Sequence, residues 1–327
     1  MDIEILDPRR KPLPSEWKAL LKKAGLTPDA PAETTVLIWV DDELAATGSR
    51  DGDLIKYMAV DPLHRGEDLT ATLLTQLRQD AFAHGKSHLF LYTKPKNRLM
   101  FQDLFFYPVA QTQDVLLMED RRDGLKNYVS GLPRFPEAET VGAAVMHCNP
   151  FTRGHRYLIE TAAKDCDRLY VFVLSEDRGL FPAADRIELV RQGTADLPNV
   201  TVLPTGPYLI SAATFPTYFL QSGADTGAIQ CQLDVEIFAG KVAPALGITR
   251  RYVGTEPLSA VTDAYNRVLL SQLPQHGIEV HEIPRIELDG APISASRVRA
   301  LLQEGRLTET EPLVPPTTFA YLQRKEF

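Results

Sequence analysis

Short apolar runs bounded by turn residues alternate with one-sided amphipathic stretches along the whole chain, and the pattern becomes more regular near residue 140. Before that point EWKALLKKAG predicts a short helix and TPDAPAE a connector. TTVLIWV and DLIKYMAV read as strands, with DDELAATGSRDG between them as a turn-bearing connection of some strand character. Leu69, Leu73, Leu74, Leu77 and Ala81 recur at helical spacing, so Leu69 to Ala83 is expected to be a helix with one buried face. HLFLYT reads as a strand. In KPKNRLMFQDLFFYPVA, the residues Leu99, Phe101, Leu104 and Phe105 predict a helical apolar face before the chain extends from Tyr107 to Val109. The polar stretch EDRRDGLKNYVSGLPRFPEAET predicts a junction carrying a short helix.

From Val141 onward, strands and helices alternate. VGAAVMH, RLYVFVL, NVTVLPT, RYVGTEP and IEVHEIPRI are the extended elements. Helices are expected from about His155, where Leu158, Ile159, Ala162 and Ala163 form an apolar face, over AADRIELVRQGTA, over AYNRVLLSQLPQHG, and partly over FPTYFLQSG. ISASRVRALLQEG reads as a loop and helix start with Ser294 or Ser296 as cap. Such alternation predicts an α/β fold with a mostly parallel sheet and helices on its faces.

Composition narrows the function classes. A chain of 327 residues favours about two domains of roughly 100 to 200 residues each. Hydrophobic residues at 44% and charged residues at 24% are those of an ordinary globular protein rather than a disordered one. A formal charge of -8 gives no global attraction to nucleic acid or to an anionic membrane surface, so neither is expected as a partner. Cys148, Cys166 and Cys231 are too few and too unevenly spaced for a disulfide framework or a thiolate cage, which fits a reducing compartment. No apolar run approaches the roughly 18 to 20 residues that span a bilayer, and MDIEILDPRR lacks a secretion-signal pattern. A cytoplasmic location is the expectation.

The candidate chemistry lies in CNPFTRGH, between the strand ending at His147 and the helix that follows. A strand running through a compact loop into a helix start places several backbone N–H groups without intrahelical acceptors around one small volume, where a phosphate fits. Gly154 permits close approach, Thr152 offers a hydroxyl donor, and His155 can donate from an imidazole nitrogen. A plain turn also accounts for these residues: Asn149 and Pro150 would form it, Gly154 accommodate it, and His155 sit hydrogen-bonded in the first helical turn.

The wider pattern separates the two readings. NPFTRGH resembles the threonine-containing form of the nucleotidylyltransferase TxGH signature, at Thr152, Gly154 and His155, and ISASRVR resembles the second phosphate-binding motif of that superfamily, at Ser294, Ser296 and Arg299. Read with FVLSED, YVGTEP and AYN, the segments MHCNPFTRGHRYLIE and ISASRVR resemble the citrate lyase ligase family over nearly the whole chain. That resemblance implies an ATP-dependent ligase that joins acetate to the thiol of the dephospho-coenzyme-A-derived prosthetic group on the citrate lyase acyl-carrier subunit. Acetyl-AMP would be the intermediate, and AMP and pyrophosphate the products. It implies ATP as substrate, Mg2+ to offset phosphate charge, catalytic roles for Thr152, His155, Ser296 and Arg299, and nucleotide contacts from Asn149, Pro150, Phe151, Gly154, Gly254, Ser294, Ser296 and Arg299; Arg186 in ADRIELV is a further candidate for an anionic contact, or forms a solvated ion pair on its helix. The residues alone leave open adenylylation of another small substrate, or an inactive nucleotide fold that binds or assembles the carrier. The metal ligands are not assigned, and Glu256 in GTEP is as readily a turn contact as a magnesium ligand.

VDPLHRGEDLTATLL and NRLMFQDLFFYP resemble an N-acetyltransferase domain of the GNAT type. Residues 1–130 are therefore expected to be a GNAT-like domain with an amino-terminal extension, and residues 131–327 a Rossmann-like nucleotidylyltransferase domain. Arg65 and Gly66 fit the opening of a GNAT phosphate-binding turn, but Asp68 and Thr70 stand where that resemblance would place glycines. An ionised Asp68 would repel phosphate, so acetyl-coenzyme-A binding does not follow from the resemblance. Asn97, Phe101, Phe105 and Tyr107 fit the downstream part of the same domain, and a helix whose aromatic residues simply build its core also accounts for Phe101, Phe105 and Tyr107.

Overall fold

The DDELAATGSRDG segment, expected to be a turn-bearing connection of some strand character, forms an interior strand of the first sheet. The structure, a computed structural model, describes residues 1–176, 179–209, 215–220, 225–256 and 259–325. The chain divides into two units, Met1–Lys126 with Phe215–Ile229, and Asn127–Thr214 with Gln230–Phe327. No helix among the described residues is long and apolar enough to cross a membrane.

The first unit contains β1 (Asp2–Leu6), α1 (Ser15–Lys23), β2 (Thr34–Val40), β3 (Glu43–Asp51), β4 (Leu54–Val60), α2 (Leu69–Ala83), β5 (Phe90–Thr93), α3 (Arg98–Asp103), β6 (Tyr107–Gln111) and β7 (Leu116–Glu119). The sheet order is β1-β2-β3-β4-β5-β7-β6, in an α/β arrangement. Only β4 and β5 are parallel, and they pair just at Leu54 with Phe90 and Ile55 with Leu91 before separating. The DDELAATGSRDG segment forms β3, with its polar residues inside: Thr47 Oγ1 donates to the Val36 carbonyl at 3.0 Å, the Thr35 and Ser49 hydroxyls meet at 2.8 Å, and Arg50 donates to Glu33 and Asp80 at 2.7 Å each. Because both faces of this strand are covered, alternation carries no signal there, and hydrogen bonds make burial of the polar groups tolerable.

The expected apolar face on α3 needs correction. Phe101 is buried, but Leu99 is 74% and Phe105 67% exposed, while Phe106 is fully buried. The helix closes early. Phe105 adopts a left-handed φ of 62°, with Phe106 N–H donating to the Phe101 carbonyl and Phe105 N–H to that of Gln102. This Schellman-type ending turns Phe105 outward and Phe106 inward.

α4 (Gly124–Ser130) contains the point of division. The second unit continues with β8 (Val141–Met146), α5 (Arg153–Lys164), β9 (Arg168–Val173), α6 (Ala183–Gly193), β10 (Val200–Pro204), α7 (Thr226–Ile237, which the division crosses after Ile229), α8 (Ala243–Leu246), β11 (Arg250–Gly254), α9 (Ala260–Gln272), β12 (Glu279–Ile283), the hairpin β13 (Glu287–Leu288) and β14 (Ala291–Pro292), α10 (Ala295–Gln303) and α11 (Pro316–Leu322). Its five-stranded sheet has the order β10-β9-β8-β11-β12, and every pairing in it is parallel. In FPTYFLQSG, residues 215–220 are not helical, and residues 221–223 lie outside the described residues. Three aromatic residues and two hydrogen bonds fix that stretch in the first unit instead: Thr217 and Tyr218 N–H groups donate to Asp29 at 2.7 and 3.1 Å.

The chain leaves β8 toward β9 on one side of the sheet and returns through β11 on the other, which makes the β8/β11 junction a topological switch point. These two strands pair only at Gly142 with Arg250 and Ala143 with Arg251, so their carboxyl ends diverge into a crevice.

Candidate active site

The loop leaving β8 enters that crevice. α5 starts with Thr152 as N-cap, whose Oγ1 accepts from His155 N–H at 3.3 Å, while the His155 ring reaches back to the cap. Thr152 N–H donates to His155 Nδ1 at 3.1 Å, and the Thr152 hydroxyl lies 2.9 Å from the same nitrogen. Since an amide N–H can only donate, Nδ1 is the acceptor and the neutral ring carries its proton on Nε2. Desolvation of the ring, then the charges of Arg285, His147 and Arg299, lower its pKa from 6.5 to about 4. His155 is thus a neutral Nε2–H donor at physiological pH.

The two motifs meet in space. A Cβ on Gly154 would lie 2.6 Å from the Ile293 carbonyl oxygen, so only glycine lets the first turn of α5 touch the backbone immediately before α10. Arg299, on α10, donates from Nη1 to the Asn149 carbonyl and from Nη2 to Ser296 Oγ at 3.0 Å. Ser294 caps α10, its Oγ accepting from Arg297 N–H at 3.2 Å. Two helix starts, the Ser296 hydroxyl, the Arg299 guanidinium and His155 therefore converge, a donor set with the charge and direction for polyphosphate.

Several side chains expected at the ligand are packed inside the protein or bonded to its own backbone. Asn149, Pro150 and Phe151 are buried: Asn149 Oδ1 accepts from Phe181 N–H at 3.1 Å, and Phe151 fills the space opposite Gly193, where a Cβ would come within 2.4 Å of its ring. A loop that offers its backbone to a ligand must be held by its side chains from behind. Thr152, expected to donate to phosphate, is 1% exposed and its hydroxyl serves the cap and the His155 ring. Arg186, expected at an anion, is fully buried and donates to the carbonyls of Phe181 at 3.1 Å, His147 at 2.7 Å and Glu176. Gly254 ends β11 beside α5, where a Cβ would touch Leu158 at 3.4 Å, and its carbonyl accepts from Asn266. Cys148 is buried and burial pushes its thiol pKa up, which removes it as a nucleophile.

Two site residues escaped the sequence reading. His147, next to the end of β8, lies 3.4 Å from Glu176, and burial followed by the Arg186 charge lowers its pKa. Arg285, just past β12, pairs with Glu256. Both stand directly after the carboxyl end of a parallel strand, and that position was the available signal. Among the described residues no group of three or more His, Cys, Asp or Glu side chains is placed to hold a metal.

In the first unit, Arg65, Asp68, Thr93, Asn97, Tyr218 and Phe219 help line a cavity of about 600 Å³. Asp68 holds a left-handed φ of 53° directly before α2 and caps nothing with its side chain. Tyr218 donates its hydroxyl to the Tyr92 carbonyl at 2.8 Å, occupying one of the backbone groups freed where β5 leaves β4.

Comparison with known proteins places these features in context. The family described as citrate lyase ligase C-terminal domain matches residues 141–322. The citrate (pro-3S)-lyase ligase of Klebsiella pneumoniae is 40% identical over 320 residues, covering 96% of this chain and 94% of that protein. The Escherichia coli protein of the same name is 40% identical over 316 residues, covering 94% and 90%. That of Haemophilus influenzae is 36% identical over 332 residues, covering 99% of each.

Proposed function

The chain belongs to the citrate lyase ligase family, and from that premise we propose that it uses ATP to join acetate to the prosthetic-group thiol of the citrate lyase acyl-carrier subunit. The observation that carries the proposal is the junction of the two phosphate motifs, Gly154 against Ile293 and Arg299 on Asn149, around a neutral His155.

In the first step an acetate oxygen attacks the α-phosphorus of ATP and the bond to the bridging oxygen of the β-phosphate breaks. Acetyl-AMP forms and pyrophosphate leaves. Acetate is already ionised at neutral pH, so this step needs no general base. It needs donors that strengthen as negative charge grows on the phosphoryl oxygens. His155 Nε2–H, Arg299 and the starts of α5 and α10 supply them from fixed positions, which is worth most in a site shielded from water. In the second step the prosthetic-group thiolate attacks the acyl carbon, the acyl–phosphate bond breaks, and AMP departs with the electron pair. The buried Cys148, Cys166 and Cys231 take no part.

Mg2+ enters this reading with the nucleotide. It commonly binds substrate phosphates and waters with one or two carboxylates rather than an all-protein cage. When bound it would neutralise phosphate charge.

The test incubates the purified chain with ATP, acetate, Mg2+ and the deacetylated carrier, and resolves AMP, pyrophosphate and acetylated carrier. All three products are expected in equal amounts. Adenylylation of the carrier arm without acetate, or carrier binding without ATP turnover, would overturn the proposal.

A further inference from the structure

Arg285 is held on one side and open on the other. Its backbone N–H donates to Thr255 Oγ1 at 3.3 Å, its Nε to the Thr255 carbonyl at 2.7 Å, and its Nη2 to the Glu256 carboxylate. Nη1 has no protein partner among the described residues. The Arg285 side chain is 30% exposed and that of Glu256 only 8%. An ordinary surface ion pair joins two mobile chains and fixes neither. Here the carboxylate is buried and a backbone carbonyl locks the guanidinium plane, so the free amino group points in one set direction.

A short path connects Arg285 to the phosphate loop. The next residue, Ile286, accepts at its carbonyl from Ile293 N–H at 3.0 Å, and Ile293 is the residue whose carbonyl oxygen abuts Gly154, beside His155. Thr255 follows Gly254 at the carboxyl end of β11, which flanks the crevice, and Arg285 follows the carboxyl end of the next strand, β12, at Ile283. His155 registers the same proximity: after desolvation, Arg285 is the strongest of the neighbouring charges that hold its pKa down, ahead of His147 and Arg299. A charge held so close to His155 and partnered on one side only is placed to receive an anion.

We propose that Arg285 contacts an anionic oxygen of the reactants in this site, and that Glu256 is the positioning residue that aims it. The inference rests on the ligase reading above and extends it to two residues outside the phosphate motifs. The ligand chemistry is an oxyanion, supplied either by a nucleotide phosphate or by the carboxylate of the acid substrate, and the kinetics separate the two. Glu256 then has a structural role toward Arg285 rather than toward a metal.

The experiment compares the full-length protein with Arg285→Ala, Arg285→Lys and Glu256→Gln. It measures pyrophosphate release with acetate and deacetylated carrier, KM for ATP and for acetate separately, and ATP affinity by calorimetry. For Arg285→Ala, kcat/KM should fall about 10- to 100-fold, the usual effect of removing one charged donor. Weakened ATP affinity identifies a phosphate as the ligand. A raised KM for acetate with ATP affinity unchanged identifies the carboxylate. Glu256→Gln, which keeps an acceptor but loses the charge, should shift the same parameter by a smaller factor. Free guanidinium should restore part of the activity of Arg285→Ala. Wild-type-like constants in a folded Arg285→Ala overturn the proposal, as does a loss that neither Lys nor guanidinium restores and that accompanies a lowered melting temperature. An inactive wild-type protein would instead sink the ligase reading itself.

Discussion

Gly154→Ala tests the meeting of the two phosphate motifs with a single methyl group. The added Cβ would sit 2.6 Å from the Ile293 carbonyl oxygen and 3.5 Å from Thr152 Oγ1. The first contact is to backbone, not to a side chain that can swing aside, so relief requires α5 and the start of α10 to part by roughly 0.5 to 1 Å, enough to restore ordinary contact. Stability should register this weakly. Overpacking costs about 1 to 3 kcal/mol, whereas exchanging glycine for alanine in a helix gains about 0.5 to 1 kcal/mol. The net loss is then roughly 0 to 2.5 kcal/mol by these same magnitudes. Activity should register it strongly, because a displacement near 1 Å in a positioned site costs about 10²-fold in rate. The assay pairs a denaturant melt with initial rates of pyrophosphate release at saturating ATP and acetate. A folded variant whose kcat stays within about threefold of wild type would show that the Gly154 contact does not set the reacting geometry.

The remaining expectations follow from single groups. Removing the Nε2–H donor in His155→Ala should lower kcat about 10²- to 10³-fold while leaving carrier binding intact, and equal turnover would remove the histidine from the mechanism. Because the folded His155 pKa lies near 4 against 6.5 for the free side chain, its acid limb in the rate profile should fall near pH 4. On the stability side, the unfolded chain takes up a proton that the folded ring refuses, so the fold loses stability as pH drops from 6.5 toward 4 and is indifferent to this group above pH 7. His155→Gln should flatten the melting temperature across that window, and an unchanged slope would contradict the assignment. Thr152→Val should cost about 1 kcal/mol through the lost cap and depress kcat by freeing the ring, with Thr152→Ser close to wild type in both; a Val variant of full activity would refute the positioning role. Arg186→Ala, which strands three carbonyls, should lower the unfolding free energy by at least about 3 kcal/mol, and a near-neutral melt would argue against its place as the clamp behind the loop.

The chain itself determined much of this protein. Apolar spacing located α2 and the alternating strands and helices after Val141, because each of those elements buries one face or lies wholly inside, and hydrophobic pattern reports burial. The residue order of NPFTRGH and ISASRVR was enough to place capped helix starts at Thr152 and Ser294, since capping residues and the glycine that follows are local requirements. Tertiary structure decided what depends on neighbours distant in sequence. β3 can lie buried in the sheet because partners distant in sequence satisfy the hydrogen-bonding groups of Thr47, Ser49 and Arg50. The side chains of Asn149, Phe151 and Arg186 turn into the protein because Phe181, Gly193 and His147 meet them there, contacts that residue type could not reveal. The Gly154 contact with Ile293 and the anchoring of Arg285 on Thr255 and Glu256 join segments about 140 and 30 residues apart. Such junctions are fixed by packing, and packing is a property of the folded chain rather than of any segment in it.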